Sequence, residues 1–79
     1  MFVETYQVSQ HYSTYQMAKT MAKRALVNLS DEIMSGIVVV IGVVELDSGI
    51  EYTPVFVLNQ TSKSVEKGLL ALGFAVRVN

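Results

Sequence analysis

Residues 36–46 read GIVVVIGVVEL, apolar at every position except the two glycines and Glu45. The density of β-branched residues argues for a strand, because such side chains lose rotamer freedom in a helix and pack well on a pleated surface. The run is far shorter than the roughly 20 apolar residues that a membrane-spanning helix needs. Side chains alternate along a strand, so Ile37, Val39, Ile41 and Val43 share one face, and Val38, Val40, Val44 and Leu46 the other. Both sets are apolar. A chain of 79 residues has helices enough for one face of a sheet, and the other face then calls for another protein surface. Glu45 falls in the first set, which is therefore expected to point away from the helices.

Asp47-Ser48-Gly49 follows as a tight turn, with Gly49 supplying the left-handed backbone of a bulged hairpin. Ile50–Leu58 returns antiparallel. Tyr52, Phe56 and Leu58 are expected in the core, and Thr53, Val55 and Val57 on the outer face. The predicted interface is thus Ile37, Val39, Ile41, Val43, Val55 and Val57, a stripe of roughly 300–500 Å², the size at which exposed apolar patches mark contact sites.

Working outward, Phe2–Val8 is β-prone and partly alternating. Ser13-Thr-Tyr-Gln16 is a capping box that opens a helix, with Ser9 as an earlier possible start. Tyr15, Ala18, Met21, Ala22, Ala25, Leu26 and Leu29 recur at the helical period, while Gln16, Lys19, Thr20, Lys23 and Arg24 fall outside that arc. The alanines allow this helix to sit close to a sheet. Ser30–Ser35 is a connection with at most one helical turn, closed by Gly36. Thr61 or Ser62 caps a second helix, whose Val65, Leu69 and Leu72 share a face, and Gly73 sits where a C-terminal helix glycine belongs. Phe74–Val78 alternates as a last strand.

The order β-α-β-β-α-β resembles the split, ferredoxin-like arrangement: one α+β domain over residues 1–79, with two helices on one face of a four-stranded, mainly antiparallel sheet. Pro54 conflicts with it, since the third strand is central there and proline cannot donate to a ladder. A bulge at Pro54, or a different strand order, resolves the conflict.

Composition excludes several functions. With no cysteine, the chain has no disulfide, thiolate metal site, iron–sulfur cluster or cysteine nucleophile. Six Lys and Arg against seven Asp and Glu give a net charge of −1, which offers no electrostatic footprint for nucleic acid or an anionic membrane. The first ten residues, MFVETYQVSQ, lack a basic region followed by an apolar one, so a cytoplasmic location is expected. Only 16% of the residues are charged and 51% are apolar, a poor charge density for a domain that buries only about 60–65% of its unfolded surface. Part of its surface is expected to be covered by a partner.

Catalytic and metal-ligating candidates are weak. His11 is the single histidine, with no companion at ligand spacing, and reads as a surface or capping residue. Glu45 and Glu51 flank the hairpin turn and read as a solvated acidic rim. Lys19, Lys23 and Arg24 read as a solvated helix face. RNA-binding domains share the element order, but their third strand carries basic and aromatic residues outward. Residues 51–59 here, EYTPVFVLN, hold no lysine or arginine. No cofactor or metal is expected.

The reading is a small, non-enzymatic protein-interaction module whose partner is a second copy, in a dimer, or another protein. In size and character the chain resembles accessory proteins of phages and plasmids, including inhibitors such as anti-CRISPR proteins. In element order it also resembles ACT domains, which sense small ligands and pair through their sheets. Those place a glycine after the first strand, where this chain has Ser9-Gln10-His11.

Overall fold

The computed structural model of the chain describes residues 10–59 and 63–79. The strand expected over Phe2–Val8 and the caps considered at Ser9, Thr61 and Ser62 lie outside them. Within the described residues the elements are α1 (Tyr15–Ala25), α2 (Asp31–Met34), β1 (Ile37–Leu46), β2 (Gly49–Leu58), α3 (Lys63–Ala71) and β3 (Ala75–Val78). The class is α+β.

Among the described residues the sheet has three strands in the order β1-β2-β3, with β1 antiparallel and β3 parallel to β2. This corrects the four-stranded, ferredoxin-like expectation. A split β-α-β unit needs a strand between its two parallel members. Here Ala75–Val78 pair directly with Val55–Leu58, so β2-α3-β3 is unsplit and the sheet is mixed.

The strand order also accounts for Pro54. Tyr52 exchanges backbone hydrogen bonds of 2.7 Å with Tyr12, and the Leu58 carbonyl accepts from the Asn79 N–H at 2.9 Å. Even-numbered β2 residues therefore bond on the side away from β1, because backbone groups alternate along a strand. The missing N–H of Pro54 falls on that side, between the Tyr12 bridge and the first β3 pair at Val55. The β1 ladder passes Pro54 without a bulge, in unbroken register from Ile37↔Leu58 to Leu46↔Gly49.

The hairpin turn has two residues, Asp47 and Ser48, and Gly49 is the first residue of β2, with φ +134°. That differs from the bulged turn expected from the sequence by one residue, and the difference inverts β1. In this register Phe56 faces Val39 and Leu58 faces Ile37. Ile37, Val39, Ile41 and Val43 thus lie on the helix-bearing face, and Val38, Val40, Val44 and Leu46 on the other. A one-residue slip moves every side chain of a strand to the opposite face. Glu45 misleads because it sits at the exposed hairpin end, where polarity does not mark a face.

α1 begins one residue later than the capping box predicts. Thr14 is the N-cap, its side chain accepting from the Met17 N–H at 3.1 Å. Ala18, Ala22 and Leu26 form its buried stripe, and the missing side-chain bulk of the alanines allows close approach to the sheet. Helical geometry stops at Ala25; the periodicity that continues to Leu29 belongs to turns, with Leu29 N–H donating to the Leu26 carbonyl at 3.1 Å. α2 is the single turn of the connection, capped by Ser30, with Asp31 and Glu32 placed favourably at its positive end.

α3 ends at the expected glycine. Gly73 has φ +88°, its N–H donates to the Leu70 carbonyl at 3.0 Å, and the Phe74 N–H donates to the Leu69 carbonyl at 3.0 Å. This is a Schellman motif, with Leu69 and Phe74 as its apolar pair. Both belong to the core, together with Ala22, Leu26, Phe56, Leu58 and Val76. Phe56 and Phe74 meet edge to face, their centroids 5.3 Å apart, an arrangement that suits the ring quadrupoles. Leu72, expected on the buried face of α3, is exposed.

Candidate functional site

Among the described residues β1 is an edge strand with unusual surroundings. The odd-numbered β2 residues Thr53, Val55 and Val57 direct their backbone groups toward Gly42, Val40 and Val38. The N–H and C=O groups of Ile37, Val39, Ile41 and Val43 consequently point outward. Among the described residues no backbone segment pairs with them. Edge strands of stable proteins carry lysine, proline, bulges or covering elements that discourage strand addition. From Ile37 to Val44 this edge has no charge, no proline and no bulge. Val38 is 61% exposed and Val39, on the opposite face, 38%. Consecutive valines open to solvent on both faces mark a strand that nothing among the described residues encloses.

Beside this edge, α1 and β1 leave a groove of about 550 Å³. It forms because α1 lies mainly over β2 and only grazes β1. Ala22, Leu26, Met34, Ile37, Val39 and Ile41 line it, with Tyr15, Lys19 and Lys23 at its margin. α1 runs antiparallel to β1. Its start is placed by Tyr15, whose ring meets Tyr52 edge-on at 6.3 Å, and Tyr52 is the partner of Val43. Its end is placed by Leu26, in the core cluster against which Ile37 packs. Lys23, one turn before the end, therefore stands near Ile37. The Lys19 ammonium lies 5.7 Å from the Tyr15 ring centroid, a cation–π distance.

The six predicted interface residues do not form one stripe. Ile37, Val39, Ile41 and Val43 lie on the groove face, while Val55 and Val57 lie on the opposite face. That opposite face is not bare either: Thr53, Val55 and Ala75 are buried. The exposed apolar surface of β1 is its edge, the adjoining groove and Val38 on the opposite face, rather than one broad sheet face.

One polar pairing is absent from the sequence reading. His11 Nδ1 contacts Glu51 Oε1, on the face away from the helices, with both side chains about one-third exposed. The partners are 40 residues apart, and no local spacing announces the contact. Thr53 Oγ1 donates to the Gln10 carbonyl at 2.8 Å, and Gln10 Nε2 donates to the Leu72 carbonyl at 3.0 Å. These bonds fasten residues 10–12 to β2 and to the end of α3. Burial raises the Tyr12 phenol above its ordinary value. A histidine beside a carboxylate is half of a nucleophile-activating set, but the nearby hydroxyl of Thr53 is fully buried and bonded to backbone. Glu45 does not join Glu51: Glu45 pairs with Ile50 and Glu51 with Val44, on opposite faces.

Among the described residues no cluster of His, Asp or Glu is placed to hold a metal ion, and no helix is long and apolar enough to cross a membrane. Comparison with protein-family models, with curated proteins and with solved structures gives no match.

Proposed function

We propose that this chain is a protein-interaction module that offers β1 to another polypeptide, without chemistry of its own. One observation carries the reading: consecutive residues Val38 and Val39 are exposed on opposite faces of a strand that is an edge among the described residues and carries no charge from Ile37 to Val44. A strand added there gains backbone hydrogen bonds along its length and places alternate side chains in the α1–β1 groove, which is the mode of β-augmentation. A role as an accessory protein or inhibitor of phage or plasmid type is compatible with this mode, and its support is the small size and low charge of the chain.

The test introduces the missing protection. Val39→Lys places a charge at the edge, where its long side chain reaches water, so the fold is retained while strand addition is opposed. Wild-type and variant chains are compared by far-UV circular dichroism and by association with themselves and with extended peptides of alternating apolar residues. Association by the wild type alone supports the proposal. Equal association by a folded Val39→Lys variant contradicts it.

A further inference from the structure

We infer that the occupant of the β1 edge is the β1 strand of a second copy, paired antiparallel about a two-fold axis at Ile41; this rests on the interaction reading above. Five residues, Ile37, Val39, Ile41, Val43 and Glu45, direct their backbone groups outward. The two-fold register centred on Ile41 pairs all five with the same five of the second copy: Ile41 with Ile41, Val39 with Val43, and Ile37 with Glu45. A centre one residue to either side leaves an end of the set unpaired. The two three-stranded sheets become one continuous sheet. The isologous contact uses the β1 edge of each copy, so this contact closes at two copies, with β3 at the two outer edges of the joined sheet.

The side chains agree with this register. Glu45 is the single charge in β1, and the two copies of it stand at opposite ends of the shared ladder, so no like charges meet. Each Glu45 lies beside Ile37 of the other copy, on the groove face where Lys23 stands. Two symmetry-related Glu45–Lys23 ion pairs follow, and they favour this register over its neighbours. The two α1–β1 grooves come together between the α1 helices, covering Val39 and Ile41 from both sides.

The experiment is sedimentation equilibrium of the full chain, with circular dichroism on every variant. The wild type should show a mass rising with concentration toward twice that of the monomer. Val39→Pro removes only an outward N–H, which an edge strand accepts, and should remain folded and monomeric. Glu45→Lys and Lys23→Glu should each weaken association about tenfold, and combining them should restore most of it. A wild type that remains monomeric up to roughly 1 mM overturns the self-pairing. The edge reading then stands or falls separately, on whether extended peptides bind the wild type and not Val39→Lys. A dimer indifferent to both Val39→Pro and Glu45→Lys uses another surface and also overturns it. Failure of the charge swap to restore association overturns the register centred on Ile41.

Discussion

Val39 stands directly opposite Phe56 in the β1–β2 ladder, yet Phe56 has no exposed surface while Val39 retains 38% of its own. Across one rung, about 5 Å between Cα atoms, the chain passes from its core to an open edge. The cause is the position of α1, which covers β2 and leaves β1 beside a groove. Phe56→Ala should therefore cost about 3–5 kcal/mol, enough to unfold a domain of this size. Val39→Ala should cost about 1 kcal/mol. Urea denaturation followed by circular dichroism measures both; similar losses would mean that β1 is enclosed.

The two buried alanines of α1 differ in what surrounds them. Ala22 borders the groove, whereas Ala18 is fully buried away from it. Ala18→Leu should overpack and destabilise by about 1–3 kcal/mol. Ala22→Leu has open volume to enter and should cost clearly less. Thermal midpoints of the two variants give the comparison, and the reverse order would misplace the groove.

The helix caps give a finer check. Thr14→Ala removes the oxygen that accepts from Met17 and should cost about 1 kcal/mol. Ser13→Ala should change stability by less than about 0.5 kcal/mol. Gly73→Ala, at φ +88°, forces a side chain into the left-handed region and should cost about 1–2 kcal/mol. A neutral Gly73→Ala would contradict the Schellman ending of α3.

How much of this was legible in the sequence can be judged residue by residue. The buried face of α1, the glycine ending α3 and the burial of Phe56 and Leu58 in β2 follow from local periodicity and turn chemistry, whereas α1 starts one residue past the capping box and Tyr52, expected in the core, is only half-buried. The partition of β1 does not, because it depends on whether Gly49 closes the turn or opens β2. Both faces of β1 are apolar, so hydrophobicity could not decide between the two registers. The pairing of β3 beside β2 is a tertiary choice with no local signal. The same holds for the contact of His11 with Glu51, which joins distant parts of the chain.

That contact is a clamp, and a clamp makes a modest prediction. A double-mutant cycle with His11→Ala and Glu51→Ala should return a coupling of roughly 0.2–1 kcal/mol, read from urea midpoints. Neither change should alter association through β1, whose outward edge lies on the side of the strand away from Glu51. Loss of association in a folded His11→Ala variant would place the contact surface on the wrong side of β2.

Amide hydrogen exchange along β1, followed residue by residue, tests the central claim most directly. At concentrations where the chain is monomeric, the N–H groups of Val38, Val40 and Val44 should be protected by β2, and those of Val39, Ile41 and Val43 should exchange quickly. On association the second set should become protected in its turn, while the first set stays as it was. Protection of Val39, Ile41 and Val43 in the dilute monomer, or its absence from the associated state, would contradict β1 as the strand through which this protein binds.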